Sequence, residues 1–344
     1  MTYTPVPSPS HGLRLHLNEN TAGCSPAVLA ALRSIERTDT SEYPDYAPVT
    51  AQAETWFGVE PGWVQITNGL DEGLHVVAQS AKLKQPDFEA IVVEPAFEMY
   101  AACIEAVGGR QVTVPPAPDL GFSIERVLAA LSLRTRLIYV CDPNNPSGLP
   151  IPAGDIERVA DAAPDSVILV DEAYADFSGR TLIGAALDRH RNLVVGRTFA
   201  KAHGLAALRA GALIAHPGTL APLRRVLPPF SVNICAVMAL QAAFQDRAYV
   251  AWYVAEAAAS RRLICDWCTA NGFTFWPSEG NFVLVRVGDD ATDLVRSLAD
   301  RGIHIRDRSR QPECAGCVRI TAGVVGDTRR CLAAMEVWRA TRGH

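Results

Sequence analysis

The chain has 344 residues, 49% of them hydrophobic, and a formal net charge of −5. That is enough apolar material for one large domain and a smaller one, and the mild acidity argues against nucleic acid or an anionic membrane as the main partner. No apolar run approaches the roughly 20 residues that span a bilayer, and the N-terminus lacks a charged-then-apolar signal pattern, so the expected location is cytoplasmic.

In chain order, the Pro/Ser-rich residues 4–10 read as a flexible arm. Short β-branched runs then alternate with Ala/Leu-rich helical patterns. Strands are expected at Ala90–Val93, Arg110–Val114, Leu137–Val140, Val167–Val170, Leu193–Gly196 and Gly211–Ala215. Helices are expected at Asp71–Ala81, Phe97–Val107, Ile124–Leu131, Ala153–Ala162 and Leu220–Leu227. Continuous apolar strands separated by helices indicate an α/β fold with a mostly parallel sheet covered on both faces. One long helix is expected from Ile234 to Ala270, then strands near Asn281–Val287 and Val318–Thr321 and helices over Ala291–Arg301 and Thr328–Trp338. The expected division is an N-terminal segment over 1–40 packing with the small domain, a large domain over 41–240 and a small α+β domain over 241–344.

In such sheets ligands bind beyond the carboxyl ends of the strands, which directs attention to Asp142–Gly148, Asp171–Tyr174 and Thr198–Lys201. The chain has three lysines. Lys82 and Lys84 sit beside Pro86 in what reads as a loop, whereas Lys201 follows an apolar run and opens a small-residue stretch. A desolvated lysine loses its charge easily and can attack an aldehyde. Asp171 ends an apolar strand, where a carboxylate needs a cation or serves as a helix cap. Asn145 lies in a Pro/Asn turn and offers an amide. Thr67-Asn-Gly-Leu-Asp-Glu-Gly73 precedes a helix whose first N–H groups suit a phosphate, with Thr198 and Arg209 as added donors. Nine cysteines include the pairs Cys265/Cys268 and Cys314/Cys317; their separation is too long for a compact zinc module, so they read as buried thiols with no metal.

Leu15-His-Leu-Asn-Glu-Asn20, Asp142-Pro-Asn-Asn-Pro-Ser-Gly148, Val170-Asp-Glu-Ala-Tyr174, Lys201 with Arg209, Pro228-Pro-Phe-Ser-Val-Asn233, Ile305-Arg-Asp307 and Gly316-Cys-Val-Arg-Ile-Thr321 occur in this order. Together they resemble the fold-type-I pyridoxal-5′-phosphate (PLP) enzymes, and within them the histidinol-phosphate aminotransferases. The resemblance implies a large PLP-binding domain, a smaller C-terminal domain and a homodimer with shared active sites. It implies that Lys201 attaches the cofactor and shuttles a proton, that Asp171 pairs with the pyridine nitrogen, and that Tyr174 and Asn145 bond the ring hydroxyl. Phe97 would stack on the ring. Gly69, Leu70, Asp71, Thr198 and Arg209 would hold the phosphate, with Tyr43 reaching the neighbouring subunit's cofactor. Arg319 would clamp the substrate's anionic group, Arg306 would add a second cation, and Asn145 and Asn20 would line the substrate site. Ala200 stands where the family usually has serine, Leu70 replaces a small residue, and Ala22 stands where an aromatic often lines the site. The implied substrates are glutamate/2-oxoglutarate and histidinol phosphate or a related aromatic or cationic amino acid. A decarboxylase or oxidase could use the same Lys201 and Asp171, and a non-catalytic module could keep the same shape.

Overall fold

The computed structural model describes Pro9 and residues 11–341. The arm expected over 4–10 therefore lies, Pro9 apart, outside the described residues. Strand β1 (Leu13–Leu15) leads, followed by β2 (Val64–Asn68), β3 (Glu89–Val93), β4 (Arg110–Val114) and β5 (Thr135–Cys141). Then come β6 (Val167–Asp171), β7 (Leu193–Thr198) and β8 (Ala210–Ile214). The C-terminal part adds β9 (Thr274–Trp276), β10 (Phe282–Arg286), β11 (Ile303–Asp307) and β12 (Cys317–Thr321).

The larger sheet has the order β2-β8-β7-β6-β5-β3-β4. Its pairs are parallel from β7 to β4, and only β8 runs against its neighbours. Strand side chains alternate between faces, and both faces here are apolar. Ile138 and Val140 of β5, with Ile168 and Val170 of β6, fill one core. Leu137, Tyr139 and Leu169 fill the other. Hence the continuous apolar runs: residues 137–141 and 168–171 are all buried. The smaller sheet, β1-β11-β12-β10-β9, covers a third core with Leu294, Leu298, Met335 and Trp338. Its first strand comes from the far N-terminus, Leu13 pairing with Ile303.

Several sequence expectations shift. The long helix over 234–270 is two helices, Ile234–Gln245 and Arg247–Ala270. Asp246 breaks it with a non-helical backbone and caps the second helix, its Oδ1 accepting from Tyr249 N at 3.1 Å. The helix expected at 220–227 is Pro217–Arg224, starting at a proline whose missing N–H costs nothing at the first turn. Strand β2 and the helices Pro26–Arg33 and Ala47–Phe57 were not anticipated. All nine cysteines are free, with Cys268 in the small-sheet core and Cys314 and Cys317 in a separate cluster beside Leu284. Among the described residues no cluster of His, Cys, Asp or Glu is arranged to hold a metal, and no helix is long and apolar enough to cross a membrane.

Candidate active site

The carboxyl ends of β6 and β7 deliver Asp171 and Thr198 to one cavity of about 500 Å³. Lys201, three residues past β7, lies in the same cavity. So do Leu70, Asp71, Phe97, Asn145, Tyr174, Arg209, Arg306 and Arg319 from the sequence-derived set. The N-terminus of helix Gly69–Lys84 reaches the cavity because glycines let it settle on the sheet. A Cβ on Gly211 would sit 2.6 Å from the Gly69 carbonyl carbon. Gly69 itself has φ +74°, and its own Cβ would meet Arg209 Nη2 at 2.6 Å. The guanidinium therefore occupies the space that the glycine leaves, beside the helix start, and pairs with Asp71 at 2.9 Å. Asn68 gives that helix no side-chain cap, so its first N–H groups keep their capacity for an anion.

Asp171 is 4% exposed. Its Oδ2 accepts from Tyr100 Oη at 2.7 Å and its Oδ1 from Ala173 N at 3.0 Å. Burial raises its pKa to about 6, against the lowering by those two hydrogen bonds. A buried acid lifted this way is matched to an incoming cation, such as a protonated ring nitrogen. Lys201 Nζ donates to Leu17 O at 3.0 Å, and burial, with Arg319 next, lowers its pKa to about 8. Tyr174 Oη accepts from Asn18 Nδ2 at 3.0 Å, and burial pushes the phenol up to about 12. Asn145 Oδ1 accepts from Arg319 Nη1 at 2.5 Å, which leaves its Nδ2 as the available donor. Arg319 also donates through Nη2 to His16 O at 2.8 Å, and burial lowers its pKa to about 9.

Two expected residues lie elsewhere. Asn20 has its amide engaged by backbone, Nδ2 donating to Ala202 O beside Lys201 and Oδ1 accepting from Ala22 N, both at 2.9 Å. Of the two asparagines in this N-terminal run, Asn18 is the one that lines the cavity. Tyr43 is 79% exposed and stacks on Phe230 with ring centroids 4.3 Å apart. Sequence reasoning missed Tyr100, three residues after Phe97 on the same segment, and Glu98 between them. It also missed Arg14, paired with Glu19 at 2.6 Å on the cavity wall. In the basic run at 306–310, Arg308 is buried while Arg310 is exposed.

The family model for aminotransferase class I and II matches residues 10–336. The chain belongs to that family. The histidinol-phosphate aminotransferase 1 of Thiobacillus denitrificans is 35% identical over 340 residues, covering 96% of this chain and 86% of that one. The crystal structure of histidinol-phosphate aminotransferase from Sinorhizobium meliloti in complex with pyridoxal-5′-phosphate superposes with a TM-score of 0.85. It is 29% identical and covers 96% of this chain and 92% of its own. An L-threonine-O-3-phosphate decarboxylase from Porphyromonas gingivalis shares the fold at a TM-score of 0.80, with 20% identity and coverage of 95% and 99%. The fold is therefore that of the PLP transferases, and the site must distinguish the chemistry.

Proposed function

We propose that this aminotransferase uses PLP to exchange an amino group between glutamate/2-oxoglutarate and histidinol phosphate or a closely related amino substrate with a remote anionic group. The observation that carries the reading is the presence, in one cavity, of the Lys201–Asp171 pair and the two guanidiniums of Arg306 and Arg319. The family and the 35% identity to a named histidinol-phosphate aminotransferase support it.

The site suits the cofactor residue by residue. Lys201 is the amine that attaches it, and with a pKa near 8 much of it is neutral at mildly alkaline pH. Asp171 answers the ring nitrogen, and Tyr100 fixes the orientation of its carboxylate. Tyr174 and the Nδ2 of Asn145 would serve the ring hydroxyl, and Phe97 would pack against the ring. Gly69, Leu70 and Asp71 supply backbone donors to the phosphate, with Thr198 and Arg209. Bound there, PLP acts as an electron sink for carbanion chemistry at the substrate Cα. Lys201 then carries the proton to and from that carbon. Arg319, held by Asn145 and His16 O, binds the substrate's anionic group, and Arg306 offers a second cation. One site must accept two substrates in turn, and both glutamate and a phosphate ester bring anions to these arginines.

The reading extends to a cytoplasmic homodimer divided near residues 40 and 240, in which Tyr43 of each copy serves the cofactor phosphate of the other. The test is the visible absorbance of the holoenzyme, titrated in turn with glutamate and histidinol phosphate, with Lys201→Ala as control. Both substrates are expected to convert the aldehyde form of the cofactor to its amine form, and the lysine variant to show neither the protein-bound band nor turnover. Conversion by glutamate alone would remove histidinol phosphate as substrate, and full turnover by Lys201→Ala would remove the lysine from the mechanism.

A further inference from the structure

Arg308 is a buried guanidinium of the cavity with one whole edge left unmade. Its side chain is 3% exposed, and it lines the cavity. Nη1 donates to Glu98 Oε1 at 2.9 Å. The other edge of the same planar group, Nε and Nη2, is buried with no hydrogen-bond partner among the described residues. Buried donors are rarely left unmade unless something else satisfies them. The backbone around it is fixed, since Arg308 N donates to Cys317 O at 2.9 Å. Glu98 is fixed as well, because Gln311 Nε2 reaches both Ala96 O at 2.9 Å and Glu98 Oε1 at 3.3 Å. Gln311 and Arg308 thus lock the Phe97–Glu98 segment of the larger unit to the β11–β12 loop of the smaller one.

The charges of the cavity wall give this edge a purpose. Arg14 is matched by Glu19 at 2.6 Å and Arg209 by Asp71 at 2.9 Å. With Lys201 set against Asp171, the three guanidiniums of Arg306, Arg308 and Arg319 share the remaining described wall with one carboxylate, Glu98, which lies 3.9 Å from Arg306. That part of the cavity carries more positive than negative charge and suits an anion of charge greater than one. The Nε–Nη2 edge of a guanidinium is the fork that grips phosphate and carboxylate in bidentate fashion.

We propose that Arg308 is a specificity-determining residue, whose Nε–Nη2 edge binds the anionic group that a substrate carries remote from its reacting amine, while Glu98 holds the opposite edge. The group is a phosphate monoester or a side-chain carboxylate. The inference rests on the proposed preference for substrates with a remote anion.

The test uses the holoenzyme and two unreactive ligands of equal length, glutarate and pentanoate, which differ by one carboxylate. Their dissociation constants are read from the shift in cofactor absorbance. The wild type is expected to prefer glutarate. Arg308→Gln should weaken glutarate by about tenfold or more, the size of a charge-assisted pair, leave pentanoate unchanged, and raise the KM for histidinol phosphate by a similar factor. Arg308→Lys, which keeps the charge toward Glu98 but lacks the second edge, should lie between. Equal weakening of both ligands would mark a structural role and overturn the proposal, as would an unchanged preference in either variant. If Arg308→Gln does not fold, Arg308→Lys decides. A wild type that turns over glutamate but ignores histidinol phosphate would cancel the proposed substrate, and the glutarate comparison would still decide the role of Arg308.

Discussion

At the scale of single residues the governing fact is the burial of Asp171. Its shift from an ordinary 3.8 to about 6 corresponds to about 3 kcal/mol standing against the ionised form. With a folded pKa above the unfolded one, the contribution of this group to stability is fully present below the unfolded pKa and lost as pH rises through about 6. Cofactor-free Asp171→Asn is therefore expected to lack that loss. Thermal unfolding across about pH 4 to 7 should show the variant gaining on the wild type as pH rises. Its turnover with bound cofactor should fall at least about a hundredfold, since no anion then answers the ring nitrogen. A variant that loses stability in parallel with the wild type would show that the carboxylate is not the group responsible.

At the scale of elements, the strands that build the cavity floor were legible because both faces of the sheet are buried. β3, β5, β6 and β7 read as unbroken apolar runs, and their carboxyl ends pointed to Asp171 and Thr198. β2 was not legible, because it lies at the edge of the sheet and mixes Gln65 and Thr67 with its apolar residues. The helical periodicity around residue 246 continues on both sides of the break, so only the backbone and cap of Asp246 reveal it. The start of helix Gly69–Lys84 carries a prediction of its own. Gly69→Ala places a Cβ 2.6 Å from Arg209 Nη2 on a backbone with φ +74°. The left-handed backbone alone costs about 1–2 kcal/mol, and Arg209 must leave its place. Cofactor affinity, measured by equilibrium dialysis, should drop about tenfold or more, with the far-ultraviolet spectrum unchanged. Undiminished affinity would remove Arg209 and this turn from the phosphate site.

At the scale of the whole molecule, Tyr43 and Phe230 form a stacked aromatic pair that stands largely in solvent in the single chain. Sedimentation is expected to give twice the 37.0 kDa chain mass, and Tyr43→Ala to weaken cofactor binding without changing that mass. A monomer at micromolar concentration would overturn the shared site. The motifs allowed the cavity to be located from the sequence, because Asp171 ends a recognisable strand and Asn145 and Lys201 lie just past two others. The residues that orient them were hidden for a reason of distance. Tyr100 meets Asp171 across 71 positions, and Asn18 accepts from and supports groups as remote as Thr321.

The same N-terminal run ties the ends of the chain together. Leu13 pairs with Ile303, Leu17 O receives Lys201, and Asn18 N donates to the hydroxyl of Thr321. A chain emerging from the ribosome makes its first residues long before their partners exist, and ordering so large a loop early is unfavourable. The larger sheet can assemble during synthesis, because its strands end at Ile214. The cavity wall cannot close until β11 and β12 have been made, so Arg306, Arg308 and Arg319 join the site last, when the N-terminal run finds its partners.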